Sequence, residues 1–502
     1  MLPDLAASLN DPILPLHHFH HVHHPITFFS AMLSLELIDA GLVLAARHGD
    51  SVAVVDEVPG MAVLEDDATT TGAEAAARVR LKPLLAHTNF WRGLSVEPLT
   101  RPSRLIGTTA DLAFAQVTAL LDKHRGSEFV LLAVPAGYSR EQLGLLLGVV
   151  NETGVAVAGI VDAALAACSH EPAPARVLHL DLELHQALLT VLEHVGDASG
   201  SGEQGGLKRS RYEIVPRHGV LALHQTWMQM IAETFVRKTR FDPLHEAASE
   251  QRLMNELPGW LEQLGSNSTI KLTNQFGEQL LEVELERDQF IAAAQPHYAE
   301  LLKLIQGARV AGMPIELRVS HRVAAMPGLV EHLSTLRDCE VRVLPRGSAA
   351  LGALSYEAAI RRPAEALALT YRLPIPRAAT TGAAAVEETS TPVQLRPTHV
   401  LFRGRAWAIS GQPLSVGWSA GNGSRSLVLP TAEPGVSRSH CTLLRHNGAV
   451  IVEDHSTYGS YVNEERVAGR TVLTVGDRLR LGSPGVTLEL IQLVKDDGAP
   501  QD

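Results

Sequence analysis

Two segments of this 502-residue chain concentrate side chains that could do chemistry: Ser437-Arg438-Ser439-His440 and Ser456-Thr457-Tyr458-Gly459-Ser460-Tyr461-Val462-Asn463. Hydroxyls, a guanidinium, an imidazole and an amide fall within a run of short strands and tight turns. Such a set suits binding better than covalent catalysis. A second set lies far upstream, with Asp39 and Gly41 after one strand and Asp181 after another. The plainest reading of these acids is as strand-end turn residues. The sequence has no Gly-x-x-x-x-Gly-Lys-Ser/Thr loop. His245-Glu246 lacks the second histidine that a zinc-protease helix needs. Cys168, Cys339 and Cys441 are far apart and form neither a disulfide framework nor a zinc knuckle. Cys168 and Cys441 read as small buried hydrophobes. No catalytic residue and no metal ligand is assigned.

The elements that must position these residues fall into two regions. From Met32 to about residue 375, strand and helix patterns alternate. Phe129 to Val134 is an apolar strand ended by Pro135 and Gly137. Ser139 and Gln142 then form a capping box for a helix running to Glu152, with Gly154 past its end. Val155 to Ala158 is the next strand, which makes a βαβ unit and a partly parallel sheet. Val177 to Leu180 and Ala187 to Leu192 read as a hairpin. Residues 73–85 read as a helix, and 195–210 as a Gly/Ser-rich loop. The spacing of Trp227, Met230, Ile231 and Phe235 predicts a helix over 218–239 with one buried face. From Pro397 the pattern turns to short strands, which suggests a sandwich.

Bulk properties narrow the function classes. Lys and Arg number 43 against 55 Asp and Glu, a net charge of −12. An acidic chain is a poor nucleic-acid binder, since that affinity rests on basic side chains neutralising phosphates. No apolar run approaches the ~20 residues of a membrane helix. Sparse cysteines and the absence of a basic leader point to a cytoplasmic protein. His17, His18, His20, His21, His23 and His24 crowd the first 31 residues. They read as a disordered extension ahead of a domain opening at Met32, with metal binding as the sharper alternative.

The order of elements over 32–375 resembles the ATPase domain of the actin, sugar-kinase and DnaK-type heat-shock chaperone superfamily. That resemblance implies an α/β, ribonuclease-H-like body. It also implies that Asp39, Gly41 and Asp181 would be the nucleotide-binding residues, if nucleotide binding is retained. The expected glycine-rich loops have changed. Leu42-Val43 stand for the polar pair after Gly41, Glu183-Leu184-His185-Gln186 for the glycines after Asp181, and His321-Arg322 for the adenosine-loop glycines. Gly159 stands near the place of the water-polarising acid. A phosphate approached by backbone amides needs glycine, because a Cβ blocks the approach. The body therefore reads as a pseudo-ATPase with no cofactor, and ATP with magnesium is the alternative.

Residues 376–396, rich in Ala, Thr, Glu and Pro, read as a flexible linker. Residues 397–495 resemble a forkhead-associated (FHA) domain through Gly417, Ser437, Arg438, His440, Ser456, Gly459, Val462, Asn463, Gly476-Asp477 and Gly482; 496–502 form a tail. The resemblance makes Ser437, Arg438, Thr457 and Asn463 the phosphopeptide-binding set. It makes Gly417, His440 and Gly459 structural. Two positions depart from the pattern: Trp418 replaces an arginine that contacts phosphate, and Tyr458 replaces an asparagine that holds the peptide. The fold class is thus multidomain, an actin-like body followed by an all-β FHA sandwich. The expected function is a protein-interaction scaffold binding protein partners, with phosphothreonine dependence left open. The alternative is an ATP-binding chaperone-like or actin-like switch whose FHA module selects phosphorylated clients.

Overall fold

The computed structural model describes residues 32–49, 51–124, 127–196, 205–276, 279–309, 313–378, 396–402, 405–419, 425–429, 435–446, 449–463, 465–467, 469–482 and 485–491. The His-rich segment, linker residues 379–395, the Asn447-Gly448 turn and the 496–502 tail lie outside the described residues.

The α/β region contains two six-stranded sheets of matching design. The first is built on β1 (Met32–Glu36), β2 (Leu42–His48), β3 (Ser51–Val58), β4 (Phe129–Val134) and β5 (Ala156–Asp162). Its spatial order is β3-β2-β1-β4-β5, completed by Leu369–Thr370. The second uses β6 (Arg176–Leu182), β7 (Gln186–Val195), β8 (Gly206–Pro216), β9 (Ile315–Val319) and β10 (Cys339–Val343). Its order is β8-β7-β6-β9-β10, with Arg372–Leu373 on the far edge. In each, the first three strands form an antiparallel meander and the last two join parallel to the first strand. Parallel joins require helical crossovers. Arg140–Glu152 supplies one, between β4 and β5.

That crossover starts as the sequence implies. Ser139 Oγ accepts from the Gln142 N–H, and Gln142 Oε1 accepts from the Ser139 N–H at 3.0 Å. Gly154 takes φ = +86° past the helix end. The 20-residue helix Val220–Thr239 buries Trp227, Ile231 and Phe235. The Trp227 indole N–H donates to the Phe290 carbonyl at 2.8 Å, so the ring is buried without an orphaned donor.

Two sequence expectations fail here. Residues 73–85 are not one helix: Gly72–Ala76 is helical, and a chain of turns follows. The Arg80 N–H donates to Gln251 Oε1 at 2.7 Å, a tertiary bond that takes the place of a helical one. Pro83 would in any case have broken the pattern. The loop at 195–210 ends early, because β8 begins at Gly206 and pairs with β7 along its length. Alternating Lys, Arg and Ser residues hid this strand.

The C-terminal region is a sandwich of a six-stranded and a five-stranded sheet. Its core closes over Val400, Val416, Leu443, Val452, Leu481 and Leu488. The last strand, Val486–Ile491, alternates buried and exposed positions as its sequence predicts. Among the described residues no helix is long and apolar enough to cross a membrane.

Candidate functional site

The sandwich presents two loops at one end. One precedes strand Cys441–His446 and carries Ser437; the other joins Ala449–Asp454 to Ser460–Val462. His440 ties them together. It is fully buried, its Nδ1 accepts from the Ser437 N–H at 3.0 Å, and its Nε2–H donates to the Gly459 carbonyl at 3.0 Å. Burial lowers the His440 pKa, which keeps the ring neutral with one donor and one acceptor as this bridge requires. Asp454 clamps the second loop, its Oδ1 accepting from the Ser456 hydroxyl at 2.8 Å and the Ser460 hydroxyl at 2.9 Å. Gly459 turns with φ = +81° and donates its N–H to Ser456 Oγ at 2.7 Å.

These braces put Ser437 beside Thr457, whose backbone N–H donates to Ser437 Oγ at 3.2 Å. Arg438 is exposed next to them, its guanidinium 5.4 Å from the Trp418 ring centroid. Gly417 allows this approach, since a Cβ there would lie 2.0 Å from the Arg438 carbonyl oxygen. A hydroxyl, a cation and outward-facing loop residues on a rigid frame can hold an oxyanion through charge-assisted bonds.

The family comparison agrees with this geometry: the model for the FHA domain matches residues 415–482. Residues 415–482 are an FHA domain. No curated protein matches the chain.

Within the FHA domain, three of the four proposed peptide-binding residues gather on one surface. Asn463 does not join Ser437, Arg438 and Thr457. Its Nδ2 donates to Asp477 Oδ1 at 2.8 Å, and its Oδ1 accepts from the Arg478 N–H at 3.0 Å. With φ = +49°, Asn463 is a turn residue that fastens one strand end to its neighbour. The amide of this residue, which the resemblance assigns to the peptide-binding set, is thus engaged within the domain. Trp418 packs partly against the sandwich core while stacking on Arg438. Tyr458 is 54% exposed at the loop tip.

The acids of the α/β region form a different site. Arg322, 6% exposed, extends from helix His321–Ala324 into the junction of the two sheets. Its Nη2 donates to Glu36 Oε1 at 2.7 Å and to the Gly41 carbonyl at 2.6 Å. Its Nη1 donates to Asp181 Oδ2 at 3.2 Å. The two carboxylates raise the Arg322 pKa despite its burial. Glu57 belongs to the same network: burial opposes its ionisation, but His321, Arg322 and Arg346 outweigh this and bring its pKa to about 2. The space among Glu36, His179, Asp181 and Arg322 is about 10 Å³, enough for a single water and far too small for a phosphate chain.

Of the expected nucleotide residues, Asp181 and Gly41 meet at Arg322, while Asp39 does not. Asp39 Oδ1 instead accepts from the Leu184 N–H at 2.7 Å. A first-sheet acid in this cluster that sequence reasoning missed is Glu36. Its position at the end of β1, level with Asp181 near the end of β6, was the available signal.

Proposed function

We propose that this chain is a protein-interaction scaffold whose FHA domain binds phosphothreonine-containing segments of partner proteins. The observation that carries this reading is the pairing of Ser437 Oγ with the Thr457 loop, braced by His440, with the Arg438 guanidinium beside them against the Trp418 ring. A phosphate placed there gains a hydroxyl donor and a charged fork. Trp418 replaces the second cation with an aromatic face, which makes Arg438 the main source of positive charge at the site. The phosphate therefore binds through fewer charged contacts, and aromatic anchoring by Trp418 and Tyr458 contributes more of the affinity.

For the body, we infer a pseudo-ATPase of the actin and heat-shock-chaperone type that needs no cofactor. The repeated strand order of its two sheets supports the fold assignment. The Arg322 cluster supports the loss of nucleotide chemistry. A buried guanidinium lies across the Glu36 and Asp181 carboxylates that would otherwise face a metal ion, and only about 10 Å³ is open among them. Work in the cell then rests on binding, in the cytoplasm.

An oriented phosphothreonine peptide library, presented to the full chain alongside its unphosphorylated counterpart, tests the first part. Selective retention of phosphorylated members, lost in Ser437→Ala, is expected; equal retention of both libraries would refute it. Isothermal titration of the chain with ATP and magnesium tests the second. No binding heat is expected, and saturable binding would overturn the pseudo-ATPase assignment.

A further inference from the structure

A cleft of about 360 Å³ opens between the two sheets of the body, lined by Asp39, Trp91, Tyr138, Glu183, Gln186 and Ile214 among others. It is separate from the Arg322 cluster, since neither Arg322 nor Glu36 nor Asp181 lines it. Its size is within the range of small-molecule sites.

The polar groups of this cleft are mostly acceptors. Asp39 and Glu183 are 5% and 6% exposed. Glu183 Oε2 accepts from Gln186 Nε2 at 2.5 Å. That bond uses the amide nitrogen of Gln186 and leaves its oxygen buried without a partner among the described residues. Gln186 is 4% exposed, so water does not serve this oxygen freely. The Tyr138 hydroxyl is also buried and unpartnered. It faces the two carboxyls closely enough that, beyond its burial, both raise its pKa. Natural proteins seldom bury polar atoms unpaired, and a cleft holding two such atoms beside two carboxyls is built for a donor that is not part of the chain.

The electrostatic surroundings say which donor. Burial raises the Asp39 pKa, opposed by the Leu184 N–H and by Arg322 and Arg92. Burial raises Glu183 further, reinforced by Asp39 and Asp181 and opposed by Gln186 and Arg92. Arg92 itself is exposed at the rim. His185, the neighbour of this set in sequence, turns away and donates to the Thr88 carbonyl at 2.9 Å. Two acids thus share a cleft whose lining includes one cation, the exposed Arg92. An anion entering it would meet carboxyl oxygens and a phenol. A positive ligand would meet the acceptors of Asp39, Glu183, Gln186 and Tyr138.

We propose that this cleft binds a small organic cation, an alkylammonium or guanidinium group whose N–H donors reach Asp39, Glu183, the Gln186 amide oxygen and the Tyr138 hydroxyl. Binding draws the Glu183 carboxyl into its ionised form and so releases a proton near neutral pH. The site is independent of the FHA domain and adds a small-molecule input to the scaffold.

The test is calorimetric titration of the full chain with agmatine and butylammonium, with erythritol and inorganic phosphate as neutral and anionic controls. Saturable cation binding with Kd below about 1 mM is expected, with a heat that varies with the ionisation enthalpy of the buffer. Glu183→Gln weakens it by at least roughly 30-fold, the scale for removing one partner of a buried charge pair. Arg92→Ala removes the competing rim cation and tightens binding a few-fold. Tyr138→Phe, which deletes one hydroxyl and leaves the packing, weakens it a few-fold. Absence of saturable binding by either cation to folded chain would overturn the proposal. Erythritol binding without cation binding would do the same, as would cation binding that both Glu183→Gln and Asp39→Asn leave unchanged.

Discussion

Replacing Arg322 with methionine tests whether the ion cluster holds the two halves of the body together. The guanidinium makes two contacts to carboxylates, to Glu36 at 2.7 Å and Asp181 at 3.2 Å, and one to the Gly41 carbonyl at 2.6 Å. All three are charge-assisted, because the guanidinium is the donor, and at about 1.5–3 kcal/mol each they set an upper range of about 4.5–9 kcal/mol. A second route gives a smaller figure. Arg322→Met leaves Glu36 and Asp181, 3% and 4% exposed, without their counter-charge. Removing one partner of a buried pair costs about 3–5 kcal/mol. Urea unfolding followed by tryptophan fluorescence reads the effect. Taking the second figure with m near 3 kcal/mol/M, the midpoint falls by about 1–1.7 M. Adding Glu36→Gln and Asp181→Asn to Arg322→Met removes the stranded charges and restores most of that loss. A midpoint shift under about 0.3 M for Arg322→Met alone, or no recovery in the triple variant, would refute the reasoning.

Three further outcomes follow from the FHA loops. Trp418→Arg places a second guanidinium at the phosphate surface and tightens phosphopeptide binding by about one to two orders of magnitude, measured by fluorescence polarisation. Asn463→Ala removes two hydrogen bonds and puts alanine at positive φ; it lowers the FHA-domain melting temperature while phosphopeptide affinity holds. Burial works against the Asp454 carboxylate, but hydrogen bonds from Ser456 and Ser460 prevail and hold its pKa below the ordinary 3.8. Its stabilising effect is therefore present above that value and fades as pH falls through the lowered one. Asp454→Asn costs about 1–2 kcal/mol at neutral pH after discounting for its partial exposure. In urea titrations across pH, the gap to the unaltered chain closes in strong acid.

Legibility in the sequence followed the locality of the signal. Ser139 with Gln142 identified a helix start because a capping box is complete within four residues. The Phe129–Val134 strand and the alternation through Val486, Leu488 and Leu490 carried their own burial pattern. The FHA loops were readable because Ser437, His440 and Gly459 serve each other through short spacings. Other features depended on contacts far apart in the chain. β8 was hidden because its exposed face is polar. The helices Ala247–Leu264 and Arg287–Ala308 contain Pro258 and Pro296, which argue against helix on local grounds. Tertiary packing of their apolar faces overrides that cost. Glu36 acquired meaning only when Arg322, 286 positions away, was seen to reach it. The bonds of Asn463 to Asp477 and Arg478 were not legible because a motif position does not tell which way an amide points.

The central claim is that the FHA domain reads a phosphorylated partner through Ser437 and Arg438. The most direct measurement is a titration of the full chain with matched phosphothreonine and threonine peptides selected from the library. The expected result is binding to the phosphorylated peptide alone, weakened by about tenfold or more in both Ser437→Ala and Arg438→Ala. Equal affinity for the two peptides, or phosphopeptide binding that neither substitution changes, would contradict it.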